Sequence, residues 1–217
     1  MKNILLAILS GLLLAFGWPV DGFPLLLFLG FVPLLIAEFK IRNSKTKFVK
    51  WKVFGISYLA FFIWNLLTTY WIYFSTPFGG AFAILANSLL MSVVFLIYHM
   101  VAKRTGFKAS ASFFISFWMV FEKIHLGWEF SWPWLNLGNA FSAYINWIQW
   151  YQFTGTFGGT LWILLVNFML FKAYLSYNEF KEKTIIYRAG FKSVVMIGFP
   201  ILVSYLILWN YEMPKDN

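Results

Sequence analysis

The 217-residue sequence has no cysteine. Disulfides, zinc–thiolate sites and a cysteine nucleophile are therefore excluded for these residues. Charge is scarce as well: Asp, Glu, Lys and Arg make up 12% of the chain, about half the share in an average soluble protein. With 8 acidic residues and 2 histidines, no carboxylate or imidazole cluster has a metal-ligand spacing. Tandem repeats, low-complexity tracts and hydrophilic segments of domain size are also missing.

Apolar residues, by contrast, reach 61%, and aromatics 23%. A soluble globule of this length needs more polar surface than that to cover itself. The composition excludes a soluble enzyme, a disordered chain and a nucleic-acid module, and it leaves an all-α integral membrane protein. The net charge of +9 does not point to nucleic acid, because its placement along the chain matters more than its size.

About 20 apolar residues cross a hydrocarbon core as a helix. Val53 to Ala102 holds no Lys, Arg, Asp or Glu over 50 residues, room for two spans. Ser75-Thr76-Pro77-Phe78-Gly79-Gly80 breaks it with turn residues. The pattern predicts seven spans, near 4–17, 23–38, 53–74, 79–102, 109–126, 157–175 and 191–210, with 212–217 as a short outer tail. The first two are split by Trp18-Pro19-Val20-Asp21-Gly22. Lys2, the 40–52 linker, Lys103 to Lys108 and Lys172 to Lys192 hold 15 of the 17 basic residues. Loops 18–22, 75–78 and 127–156 hold none. This alternation places the N-terminus in the cytoplasm and the C-terminus outside. Residues 4–17 also fit a cleavable signal peptide, and cleavage would leave the remaining topology unchanged.

The longest outer stretch, Gly127 to Gly155, carries Trp128, Trp132, Trp134, Trp147 and Trp150 and one formal charge, Glu129. Indoles favour the headgroup level. A helix over 140–153 would gather Ser142, Asn146, Gln149 and Gln152 on one side and Phe141, Tyr144, Ile145 and Ile148 on much of the other. That predicts an interfacial helix on the outer leaflet, against the plainer reading of an aromatic belt. Trp51 and Trp209 read as belt residues at the inner and outer helix ends.

Glu122, Lys123 and His125 fall near the outer end of the fifth span. Glu122 and His125 share a helix face, while Lys123 points elsewhere and snorkels. The functional reading is a contact point for a lipid headgroup or partner domain; the structural one is a pair locking two helices. A buried Glu122 needs a donor, here expected from His125 or an indole N–H. His99 reads as a capping or interface residue, and Glu38 as facing the inner surface. No catalytic set assembles: Ser131 follows His125 by six residues, but no third group orients a base. Gly155, Gly158 and Gly159 read as close helix packing.

Several stretches together resemble the bacterial apolipoprotein N-acyltransferase family. They are the opening LSGLLLAFGWPVDGFPLLLFLGFVPLLIAE, Phe121-Glu122-Lys123-Ile124-His125, Ser131-Trp132-Pro133-Trp134-Leu135-Asn136-Leu137-Gly138-Asn139, Gln149-Trp150-Tyr151, Thr154-Gly155 through Leu161-Trp162, and Asn167. The likeness runs in order over almost the whole chain and is similar to the Bacteroidetes-type version. The resemblance implies an inner-membrane enzyme that transfers an acyl chain from a phospholipid to the N-terminal amine of a diacylglyceryl-cysteine on a lipoprotein, through a thioester. It also implies an outer nitrilase-like domain with a Glu–Lys–Cys set. These residues hold no such domain, so the chain is expected to be inactive alone, a truncated or split membrane half served by a separate nitrilase-like partner. Where the family more usually has Arg, this chain has His125. The substrate or docking candidates are Glu122, His125, Trp132, Pro133, Trp134, Gly138, Asn139, Gln149 and Trp150, with no catalytic residue, metal or cofactor. The rival classes are a small transporter or channel, which paired ionisable residues at mid-membrane would favour, and a non-catalytic lipid-binding protein.

Overall fold

A computed structural model describes residues 1–18, 22–129 and 131–211. Parts of two readings, the turn at 18–22 through residues 19–21 and the outer tail 212–217, lie outside the described residues. Every regular element among the described residues is helical: α1 (Lys2–Phe16), α2 (Leu27–Gly30) with a 3-10 turn before it (Pro24–Leu26), α3 (Val32–Arg42), α4 (Val49–Thr69), α5 (Ile72–Ser75), α6 (Pro77–Ala102), α7 (Phe107–His125), α8 (Tyr151–Thr154), α9 (Thr156–Phe180) and α10 (Lys183–Trp209). The protein is an all-α membrane protein. Five segments, Pro24–Arg42, Val49–Thr69, Pro77–Ala102, Thr156–Phe180 and Lys183–Trp209, are long and apolar enough to cross a bilayer. The seven-span reading needs two more: α1, which has 15 residues, and α7, which has 19 and carries Lys108, Glu122 and Lys123.

Helix ends follow the sequence punctuation. Thr76 is extended, and Pro77 opens α6, where its missing N–H costs nothing. Between α2 and α3 the cause of the break is tertiary. The Phe31 N–H donates to Asn167 Oδ1 at 2.8 Å, and Asn167 Nδ2 donates to the Leu27 carbonyl at 2.8 Å. Leu27 and Phe31 are the pair that an unbroken α-helix would join, so the α9 amide is inserted into that rung.

Lipid chains are as apolar as leucine, so membrane helices associate by packing and polar contacts. Phe31, Phe61, Trp64, Phe95, Phe114 and Trp118 are fully buried and form the aromatic centre. Phe31 and Phe61 lie 5.1 and 5.6 Å from Trp118, centroid to centroid. Small residues bring backbones together: a Cβ on Gly11 of α1 would stand 2.6 Å from the Ala60 carbonyl of α4. Asn87 Nδ2 donates to Asn65 Oδ1 at 2.7 Å, joining α6 to α4. Helix α10 is peripheral, with Ser204 its only buried residue.

Candidate functional site

Glu122 lies in the last turns of α7, 2% exposed. Its Oε1 accepts from Trp118 Nε1 at 3.1 Å and from the Leu137 N–H at 2.7 Å. Its Oε2 accepts from the Thr160 hydroxyl at 2.6 Å. Thr160 Oγ1 in turn accepts the Gly138 N–H at 3.0 Å, and the Tyr151 hydroxyl donates to the Gly138 carbonyl at 2.9 Å. One carboxylate thus joins α7, α9 and the loop between them through neutral donors. The expected indole donor is Trp118. His125 does not contribute.

The loop is seated too closely for side chains at its contact with α9. A Cβ on Gly138 would collide with the Thr156 carbonyl, and one on Gly159 with the Tyr151 hydroxyl. Of the three glycines read as packing residues, Gly159 meets Tyr151 and Gly138, and Gly158 meets Thr154 and Trp150. Gly155 has φ +63°, which ends α8 and turns the chain into α9. Burial, and then the negative charge of Glu122, holds the Tyr151 phenol above its usual range, so the hydroxyl stays a donor.

The interfacial helix expected over 140–153 does not form. The segment is 3-10 turns at Leu137–Phe141 and Ile145–Trp147, followed by α8. One anchor lies just ahead of the segment and one within it. Gly138 is fixed from both its N–H and its carbonyl. Further on, Ser204 Oγ of α10 accepts the Gln149 N–H at 3.0 Å and donates to the Trp147 carbonyl at 2.7 Å. The Ser204 bonds take the Gln149 N–H and the Trp147 carbonyl, which a continuous helix over 140–153 would pair internally.

Trp132 and Trp134, on either side of Pro133, border different cavities. One cavity, of about 510 Å³, lies between α6 and the end of α7, against Ala86, Asn87, Leu90, His125, Trp128 and Trp132. Four buried polar atoms of its lining residues have no partner among the described residues: both ring nitrogens of His125, Trp132 Nε1 and Asn87 Oδ1. Such atoms are costly to leave unpaired. The other cavity, of about 440 Å³, is bounded by Trp18, Thr68, Trp71, Pro133, Trp134 and Asn139. Trp134 stands edge-on to Trp71 at 5.7 Å and is 53% exposed. Both volumes are in the range of small-molecule sites.

The remaining candidates separate. Asn139 Nδ2 donates to the Pro133 carbonyl at 3.0 Å and braces the turn behind Trp134. Gln149 and Trp150 lie toward α9 and α10, with Trp150 5.6 Å from Trp162. Glu122 and His125 share a helix face in spacing, but Glu122 turns to the loop and His125 to the cavity, against Phe121 at 4.3 Å. Lys123 is exposed, as snorkelling requires.

Glu38 corrects an expectation: it is fully buried rather than facing the inner surface. Its Oε1 accepts from Arg42 Nε at 2.9 Å and lies 2.7 Å from His99 Nδ1, while Arg42 Nη1 donates to the Ala102 carbonyl at 2.7 Å. His99 is therefore an interface residue. The cluster sits at the basic ends of α3 and α6, not at mid-membrane, and so lends no support to a transport pathway. Among the described residues no group of three His, Cys, Asp or Glu is placed to hold a metal ion.

Comparison with known proteins adds the lineage. Residues 10–169 match the model of the apolipoprotein N-acyltransferase N-terminal domain. A curated apolipoprotein N-acyltransferase of Chlorobaculum tepidum is 26% identical over 219 aligned residues, covering 100% of this chain and 39% of the relative. One of Geobacter metallireducens is 29% identical over 176 residues, covering 79% of this chain and 33% of the relative. The chain therefore spans little more than a third of the curated relatives it matches. No solved structure matches. With the family's domain recognised over most of its length and two relatives aligned through the Glu122 region, the chain belongs to the apolipoprotein N-acyltransferase family, whose N-terminal domain it carries.

Proposed function

We propose that this chain is the membrane half of an apolipoprotein N-acyltransferase of the bacterial inner membrane, with seven spans, a cytoplasmic N-terminus and a periplasmic C-terminus. The complete reaction moves an acyl chain from a phospholipid to the diacylglyceryl-cysteine amine of a lipoprotein. It therefore brings two lipids to one reacting centre. The observation that supports the reading is the pair of cavities, of about 510 and 440 Å³, on the two sides of one Glu122-anchored loop. In this reading each holds the membrane end of one lipid. His125, Trp132 and Asn87 give a polar headgroup hydrogen bonds that the protein leaves unmade. The loop presents both polar ends to a nitrilase-like domain that supplies the thiolate. Holding two reactants in place contributes several kcal/mol to a bimolecular barrier, but it supplies no nucleophile.

The test uses the purified 217-residue chain with phosphatidylethanolamine and a diacylated lipopeptide, followed by mass spectrometry. The chain alone should yield no N-acylated product. Adding a separately expressed nitrilase-like domain should yield product only when this chain is present. Product from the chain alone would overturn the division of labour, and no gain from combining the two would overturn the reading.

A further inference from the structure

Helices α9 and α10 are joined at the basic end by the two-residue turn Lys181–Glu182, and by a hydrogen bond only from mid-α10 onward. Trp162 Nε1 of α9 donates to the Met196 carbonyl of α10 at 2.7 Å, and Ser204 ties α10 to the outer loop. From Met196 to the basic end, no hydrogen bond among the described residues joins the two helices. A groove of about 320 Å³ opens there. Its walls include Met169, Phe180 and Ile185, and Lys172, Arg188 and Lys192 line it together.

These three cations form no ion pair among the described residues, where the ion pairs found are those of Glu38 with Arg42 and His99. The nearby carboxylate of Glu182 accepts from the Thr184 hydroxyl at 3.3 Å, and Lys181 donates to Asn178 at 3.2 Å. Three like charges around one groove repel each other unless an anion stands between them. A guanidinium and two ammonium groups suit a phosphate, the first as a planar fork and the others as point charges. The apolar walls and the exposed Phe180 and Phe191 suit an acyl chain and not a soluble ion.

We propose that this groove binds one anionic diacyl phospholipid, with its phosphate among Lys172, Arg188 and Lys192 and a chain along the Met169–Ile185 wall. A zwitterionic headgroup would bring its ammonium into the same cluster and is disfavoured. The bound lipid would fill the gap between α9 and α10 in the half where no hydrogen bond crosses it. This inference rests on the membrane reading but not on acyl transfer, and its readout is lipid retention, so the two proposals fail independently.

The experiment is native mass spectrometry of the full chain released from nanodiscs made of equal phosphatidylglycerol and phosphatidylethanolamine. The expected result is retention of one phosphatidylglycerol in preference to phosphatidylethanolamine. Each cation near an anionic lipid contributes about fivefold. Lys172→Gln alone should therefore lower the preference by about fivefold, and K172Q/R188Q/K192Q by at least tenfold. K45Q/K47Q/K50Q removes the same charge from the 40–52 linker and should leave the preference unchanged. If the groove triple does not fold, Lys172→Gln carries the test. Equal loss in the two triples would mean general attraction of a basic surface and would overturn the site. So would equal retention of both lipids, or displacement of the lipid by millimolar inorganic phosphate.

Discussion

Glu38 and Glu122 are both buried carboxylates, held in opposite ways. Glu38 is met by a guanidinium and an imidazole, with Oε2 left without a partner among the described residues. Glu122 is met only by neutral donors, and both of its oxygens are used. The surroundings differ as well. The Glu38 cluster joins regular helices α3 and α6 at their ends, and Arg42 also bonds the last carbonyl of α6. The Glu122 network holds an irregular loop that stands between two cavities. The first is a clamp between elements that would be helical anyway. The second gives shape to a segment with little regular structure of its own. Burial of charge alone therefore does not distinguish stability from function; what the charge holds in place does.

The largest expected effect decides which carboxylate lies on the outer face. A C-terminal alkaline phosphatase fusion should be active and a green fluorescent protein fusion dark. The reverse pattern would invert the comparison or remove a span. Next is Glu122→Ala, which strands the Leu137 N–H, the Trp118 indole and the Thr160 hydroxyl. Displacing a positioning loop by about 1 Å can cost on the order of 100-fold in rate. Reconstituted acyl transfer should therefore fall by about that factor while membrane insertion holds. Equal losses of both would make Glu122 as structural as Glu38.

Glu38→Ala should do the converse. Breaking a buried ion pair costs about 3–5 kcal/mol, so the unfolding midpoint in detergent should drop, with transfer per folded molecule unchanged. A fall in transfer without a fall in the midpoint would break the distinction from the other side. Smaller still is Trp134→Ala. An aromatic anchor in a docking surface contributes about 2 kcal/mol, so the nitrilase-like domain should bind about 30-fold more weakly. Trp51→Ala and Trp209→Ala serve as controls, being 73% and 88% exposed, and their loss should be mild. Equal effects at all three positions would return the outer tryptophans to an ordinary belt.

The helices were legible because hydrocarbon length and turn residues act locally. The predicted 79–102 and 157–175 lie within α6 and α9, and Pro77 marks the start of the former. Glu122 was legible as an ionisable residue in an apolar helix, and the need for a donor followed from its burial. Which donors answer it was not legible, because Leu137 and Thr160 lie 15 and 38 residues away. The 140–153 segment misled for a related reason. Its amide spacing is helical, but Ser204, more than fifty residues away, claims the Gln149 N–H and the Trp147 carbonyl that would pair within the helix. The Asn65–Asn87 pair had no local signal, since either amide alone reads as a tolerated polar residue. The alternation of basic clusters said where cations gather, but not that Lys172, Arg188 and Lys192 would face one groove.

The inserted amide of Asn167 has a consequence for biogenesis. Segments enter a membrane in chain order, and in hydrocarbon an open backbone rung has no water to complete it. The Leu27–Phe31 rung is closed by a residue 136 positions downstream of Phe31. The second segment therefore stays incomplete through the synthesis of α4, α6 and α7, and it is finished only when α9 arrives. One side chain acts as the latch of assembly, tying a late-built wall of the bundle to one of its first, so that a chain interrupted before α9 leaves its own opening hairpin unfinished.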